Sequence, residues 1–380
     1  MTAAILGILL SFGAYWLAFP RGTDRRPFLF GALILIQLAA AFAYYVHSVA
    51  EIEVDAVRYY FDPHGVAARA PILPGTVIVY KVVQSLRAIG ANLLEQFLFF
   101  QCFGMIGIAL LIRAVNELAV ELDRQVPLLF YVALFLPGLH FWTVAPGKDG
   151  IVFAAAALAQ WAMLAPRRRV PWFGGAVLAL IAVRPHVACV CILAALFQLA
   201  LARKTRRLAA VAIPVGLILI AALTAMVAYT LGLRSMDSAT AAEFLDRRLS
   251  RLFEFSNSNM ETLIYPFRLL SFLFRPLFVD TQGVFGLVVS LENVALLGIF
   301  GLIAWRSDRL LSLAKVSPGA RFALIFVTLL VLVLSIASFN LGAAVRQKMM
   351  AMPAILLLFA GTMMFDRGAG AAKPATRESP

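Results

Sequence analysis

Charge is scarce in this sequence: Asp, Glu, Lys and Arg make up 14% of its 380 residues, against 62% hydrophobic types. A solvated globular domain carries about a quarter of its residues as charged side chains, so that class is excluded and the bilayer is the expected solvent. Cysteine is scarcer still. Cys102, Cys189 and Cys191 lie within apolar runs, without metal-ligand spacing, so neither a disulfide framework nor thiol chemistry is expected. No acidic pair is spaced for a divalent metal, and neither metal nor cofactor is expected. Acids are outnumbered, 20 to 33, which leaves a net charge of +13. The basic residues are scattered between apolar spans and do not gather on a soluble domain, which argues against nucleic acid as a partner. Internal repeats are absent, and residues 1–20 lack the basic n-region and cleavage site of a signal peptide, so they read as a retained first helix.

What the sequence does have is a series of apolar runs long enough to cross a membrane. They predict an all-α, polytopic transmembrane bundle of about eleven helices, near 3–20, 27–49, 92–114, 126–143, 150–165, 171–184, 187–202, 209–232, 284–305, 321–339 and 349–365. This makes one integral membrane domain over residues 1–365, with a disordered cytoplasmic tail at 366–380. Basic clusters at Arg21, Arg25 and Arg26, at Arg167 to Arg169, at Arg203 to Arg207 and at Arg306 to Arg321 fall in alternate loops, which the positive-inside rule makes cytoplasmic. The N-terminus is then expected in the periplasm and the C-terminus in the cytoplasm, with the chain multi-pass in a bacterial inner membrane. Of the 33 Lys and Arg, 14 remain on the outer side, against the insertion bias, and these call for a functional reason.

The outer segments lie near 51–91 and 233–283, with shorter turns between spans, and the amphipathic stretch from Gly75 to Gly90 is expected to lie at the interface. The first segment holds Asp55, Arg58, Tyr59, Tyr60 and His64. Carboxylates accept hydroxyl protons and tyrosine faces stack on pyranose rings, so the set fits a sugar-facing surface, although it also fits a solvated juxtamembrane loop. A Pro- and Gly-rich turn carries Trp142, Lys148 and Asp149; Arg184-Pro185-His186 divides two apolar runs; Arg247, Arg248 and Arg251 share a helical face; and Arg275, Asn340 and Arg346 follow. Arginine suits phosphate because its planar fork forms paired charge-assisted hydrogen bonds. Acids, tyrosines and arginines on one membrane face point to a lipid with an anionic head and a sugar. Asp55 is the first candidate for general base, with His186 and Asp149 in reserve. Arg58, Lys148, Arg184, Arg247, Arg248, Arg275 and Arg346 are candidate lipid-phosphate ligands, and Tyr59, Tyr60, Trp142 and Asn340 candidate sugar contacts.

The order of a short first helix, a basic turn, a second helix and an outer Asp55-x-x-Arg58-Tyr59-Tyr60 loop resembles the EpsG-like and Wzy-like polysaccharide polymerases, and the Trp142 to Asp149 turn, Arg184-Pro185-His186, Phe274-Arg275-Pro276 and Asn340-x-Gly342-x-x-x-Arg346 are similar in style to motifs in membrane proteins of bacterial glycan clusters. That family's first outer loop often reads Gly-x-Asp-Tyr, whereas this one reads Val54-Asp55-Ala56-Val57-Arg58. The chain is also similar to C-type membrane glycosyltransferases, in which an acid of the first outer loop is the base. The resemblance implies a metal-independent glycosyltransferase or polymerase working on polyprenyl-(di)phosphate-linked sugars at the periplasmic face, in exopolysaccharide, capsule or O-antigen biosynthesis. Arg184, Arg275 and Arg346 would match the family's diphosphate-binding cations. Its partners would be a polyprenyl-linked glycan donor, a glycan acceptor and other polysaccharide-assembly proteins. The alternative is a transporter or flippase of a lipid-linked anionic glycan.

Overall fold

The computed structural model describes residues 2–20, 25–50, 55–61, 74–201, 210, 213–222, 225, 265–281, 283–338 and 341–366. Every regular element among the described residues is helical: α1 (Thr2–Ala18), α2 (Pro27–Ala50), α3 (Asp55–Phe61), α4 (Pro74–Ala88), α5 (Leu93–Glu121), α6 (Leu128–Ala133), α7 (Pro137–Phe141), α8 (Asp149–Leu164), α9 (Val170–Val183), α10 (Pro185–Leu201), α11 (Ile213–Ala222), α12 (Tyr265–Phe274), α13 (Gly283–Trp305), α14 (Ser307–Val316), α15 (Pro318–Ala337), α16 (Leu341–Lys348) and α17 (Met352–Met364). Proline opens many of these because its missing N–H is an orphan in a first turn anyway and its fixed φ suits the helix. Ser317 before α15 and Asn92 before α5 add side-chain caps, the latter in a capping box with Glu95.

Four helices, α2, α5, α13 and α15, are long and apolar enough to cross a membrane, and α16 with α17 forms a fifth candidate, bent by 57° at its break. Helices α1, α8, α9, α10 and α11 are apolar but only 10–17 residues long. The single span expected over 126–143 is corrected: it is two short helices, α6 and α7, because Pro137 forces Leu136 out of helical geometry (φ −57°, ψ 124°). The expected span over 209–232 is described only in part, through α11.

Helix α5 is the central post, with α1, α2, α8 and α17 packed around it. Its contact with α1 is close because Gly7 lies against the backbone of Leu98 and Phe99, and Gln101 donates a hydrogen bond to Ser11 (2.8 Å) across the interface. The outer faces of α1, α2 and α13 expose Leu9, Phe12, Leu35, Phe42 and Leu291. Apolar side chains shown outward along whole helices are the lipid-facing surface of a membrane protein.

Helix α4 is amphipathic as expected: Val79 and Val83, one turn apart, are buried, and Lys81 and Arg87 are exposed. It holds α3 in place. Gln84 donates to the Tyr59 carbonyl (2.7 Å), and Arg87 donates to the Tyr60 carbonyl (2.8 Å) while covering the Tyr60 ring at 5.0 Å. At its N-terminal end α4 meets the end of α9, where a Cβ on Gly75 would lie 2.0 Å from the Val183 carbonyl oxygen. Backbone cannot yield as a flexible side chain does. Gly75→Ala is therefore expected to cost about 1–3 kcal/mol, the range for overpacking, seen as a lower midpoint of thermal unfolding in detergent, with Gly13→Ala, in open space, as the neutral control.

Candidate functional site

Proline chemistry sets the first component of the site. Arg184 precedes Pro185, so the helical region is closed to it and it takes an extended conformation (φ −143°, ψ 80°) between α9 and α10. Its side chain reaches the first residue of α8, where Arg184 Nη2 donates to Asp149 Oδ1 (2.7 Å). Asp149 belongs there electrostatically, since a carboxylate in a first helical turn faces unpaired N–H groups and the positive end of the helix dipole. Its other oxygen, Oδ2, accepts from Nε of Arg346 on α16. One buried carboxylate thus gathers two guanidinium groups from distant parts of the chain.

Arg346 also bridges outward, with Nη1 donating to Asp55 Oδ2 on α3 (3.1 Å). Exposure rises along this path, from 7% for the Asp149 side chain through 13% for Arg184 and 28% for Arg346 to 47% for Asp55. The cluster is therefore closed at Asp149 and open at Asp55. Lys148, the residue before α8, donates to Thr76 Oγ1 on α4 (2.7 Å), and Thr76 shares a hydrogen bond with the Tyr59 hydroxyl. Burial, and then the nearby Asp55 carboxylate, push the Tyr59 phenol up to about 12, so it stays a neutral hydroxyl. Burial, then the adjacent Arg184, push the Lys148 ammonium down to about 8.

Three cations, Lys148, Arg184 and Arg346, face two carboxylates, Asp55 and Asp149, so the cluster carries a net positive charge at neutral pH. Arg184 Nε is buried with no partner among the described residues. A buried donor left unpaired costs free energy that an added acceptor would recover. The arrangement suits an oxyanion.

No family model, curated protein or solved structure matches this chain.

Of the residues selected from sequence, Asp55, Lys148, Asp149, Arg184, Arg346 and Tyr59 come together. Tyr60 sits beside them, its hydroxyl on the Ala91 carbonyl (3.4 Å). Arg58 is exposed on α3, and His186 is exposed on the first turn of α10. Trp142 belongs to an aromatic group with Phe141, Phe285 and Tyr44, and Tyr44 is among the groups acting electrostatically on Arg346. Arg275 lies elsewhere, paired with Asp280 through both Nε (3.0 Å) and Nη2. Arg247, Arg248 and Asn340 lie outside the described residues.

Asp149, a reserve base in the sequence analysis, is the buried member of the cluster. With both oxygens held by guanidinium groups and almost no exposure, it orients Arg184 and Arg346, which leaves the half-exposed Asp55 as the carboxylate open to a ligand. The sequence reading missed Thr76 and Tyr44. Thr76 had one available signal, its place after Pro74-Gly75, where a tight helix start puts a hydroxyl beside whatever the first turn contacts. It also missed the support beneath the Trp142 to Lys148 turn, where Gln37 donates to Thr143 (3.1 Å) and His140 Nδ1 lies 2.6 Å from Gln37 Oε1.

A second polar network runs inside the bundle. Glu292 of α13 accepts from the Gly138 N–H (2.7 Å), Asn293 donates to the Pro276 carbonyl (2.7 Å), and Lys348, two residues past Arg346, donates to Asn293 Oδ1 and the Leu273 carbonyl (3.3 Å). All three side chains are at most 4% exposed.

Proposed function

We propose that the chain is a membrane glycosyltransferase or polysaccharide polymerase that takes polyprenyl-(di)phosphate-linked sugars at the periplasmic face of a bacterial inner membrane. One observation carries this: Arg184 and Arg346, oriented by a single buried carboxylate and joined by Lys148, adjoin the half-exposed Asp55 at one end of a lipid-facing bundle. Breaking the sugar–phosphate bond puts negative charge on the departing phosphate, and fixed cations that meet this charge lower the barrier as an oxyanion hole does. Asp55 accepts the acceptor hydroxyl's proton as that oxygen attacks the anomeric carbon, and the phosphate leaves with the bonding electron pair. Tyr59 and Thr76 offer neutral hydroxyls to the sugar or phosphate beside Lys148.

A transporter or flippase of the same anionic glycolipid is the second reading. It is favoured by the buried Glu292, Asn293 and Lys348 network next to the bent pair α16 and α17, since broken helices and buried charges mark transport paths. Purified protein in liposomes, supplied with polyprenyl-diphosphate oligosaccharide, separates the two. Release of polyprenyl diphosphate or a lengthened glycan is the expected result; leaflet exchange of the intact lipid without either product would favour transport.

The Lys148 ammonium gives the site a pH dependence. Its folded value, about 8, lies below the ordinary 10.5. The folded state therefore carries a penalty for this charge that is fully present below about pH 8 and is relieved as pH rises toward 10.5. Ligand binding runs the other way, because the cation is lost as pH rises through 8. KM for the lipid-linked donor is expected to rise between about pH 7 and 9, and in Lys148→Met to start higher and lose that limb.

A further inference from the structure

The helices that meet the ion cluster at one end meet a cavity at the other. α8 runs from Asp149 for about 24 Å at 1.5 Å per residue toward Arg167 and Arg168; α9 begins at Val170 and ends at Arg184; α15 begins at Pro318 and leads toward α16 and Arg346. Between these far ends and α10 and α14 lies a cavity of about 1380 Å³. Its walls are apolar, with Phe173, Leu199, Leu324 and Ile325 among them, and its lining includes Arg167, Arg168, Lys315 and Arg321, with no acidic side chain among the described residues that form it.

The four cations are not one undivided charge run. Arg169, next in sequence, turns away to Glu117 (2.7 Å), a carboxylate it shares with Arg113, and lies over the Trp161 ring at 4.0 Å, so it is engaged within the bundle. Arg321 donates to the last carbonyls of α14, Ala314 (2.8 Å) and Lys315 (2.7 Å), and so fixes the position of Lys315 on the rim. The lining also includes Gln198, 2% exposed, whose Oε1 is buried without a hydrogen-bond partner among the described residues. An unpaired buried acceptor is unusual and asks for a donor that the described residues do not supply. Apolar walls, a wholly basic rim and one unmet acceptor describe an amphiphile with a negative head that also bears a hydroxyl.

We propose that this cavity binds an anionic glycerophospholipid of the bilayer, phosphatidylglycerol being the simplest with a free headgroup hydroxyl. One acyl chain fills the apolar interior, the phosphate lies among Arg168, Lys315 and Arg321, and a glycerol hydroxyl donates to Gln198. Basic pockets between membrane helices on the cytoplasmic side hold acidic lipid heads in this way, and the basic run here is the one that the positive-inside rule assigns to that side. The site is separate from the ion cluster and stands whether that cluster transfers or transports a glycan.

The test is native mass spectrometry of the full-length protein in mild detergent, offered equal amounts of phosphatidylglycerol, phosphatidylcholine of the same chains, and a polyprenyl phosphate. Phosphatidylglycerol is expected to be retained over phosphatidylcholine. The pair Arg168→Gln with Lys315→Gln, both exposed and so safe for folding, should weaken that retention roughly tenfold without changing the lipid-free unfolding midpoint. Leu324→Trp, which fills the cavity, should weaken retention of every lipid. Equal retention of the two phospholipids, or retention unchanged in the double variant, would overturn the proposal. Preferential retention of the polyprenyl phosphate would overturn it too, and make the cavity a substrate path.

Discussion

Arg346→Ala is expected to lower glycan transfer by roughly 10²–10³, the loss typical when one fixed donor to a developing oxyanion is removed. Arg346 touches Asp149 with one nitrogen and Asp55 with another, so it links the buried end of the cluster to the open end. Alanine would free Asp55 from its cation and leave Asp149 with Arg184 alone. Arg346→Lys keeps the charge but not the planar fork, and a single ammonium cannot hold both carboxylates in that geometry. It should recover only a small part of the rate. Initial rates of polyprenyl-diphosphate release for wild type and both variants check this, and a lysine variant as fast as wild type would remove the fork from the mechanism.

Asp149→Ala is expected to be the most destabilising single change in the site, at about 3–5 kcal/mol, the range for removing one partner of a buried ion pair. Two guanidinium groups would lose their shared acceptor, and the Asp149 position lies at the start of a helix where a negative charge is favoured. The unfolding midpoint in detergent should fall well below that of Arg346→Ala, which leaves Asp149 one partner. Equal midpoints for Asp149→Ala and wild type would show that the arginines are oriented by something else.

The membrane class of the protein was readable from charge scarcity and apolar runs, because lipid imposes that pattern regardless of how helices pack. Helix breaks were readable only where proline was weighed as a local steric term. Pro185 was read as a break and its effect on Arg184 followed, whereas Pro137 was absorbed into a run of apolar residues and the split into α6 and α7 was missed. Six of the candidates chosen because a cation or acid at a membrane edge has few structural reasons to be there lie together: Asp55, Tyr59, Lys148, Asp149, Arg184 and Arg346. Their pairing was not readable. Asp55 and Arg346 are 291 positions apart, and nothing local indicates that α3 and α16 meet. Arg275 differs: its partner, Asp280, lies only five residues on, but in an irregular turn with no periodicity to signal the contact. Lys348 repeats the long-range case, buried against Asn293 of α13, 55 positions away.

In the proposed mechanism Arg346 binds the lipid phosphate while Asp55 removes the acceptor proton, and separating binding from turnover tests both at once. The decisive measurement is binding and transfer of polyprenyl-diphosphate oligosaccharide by wild type, Asp55→Asn and Arg346→Ala reconstituted in lipid. The prediction is that Asp55→Asn binds the donor as tightly as wild type but does not transfer the sugar, whereas Arg346→Ala loses binding and transfer together. Transfer by Asp55→Asn at the wild-type rate, or wild-type donor affinity in Arg346→Ala, would contradict it.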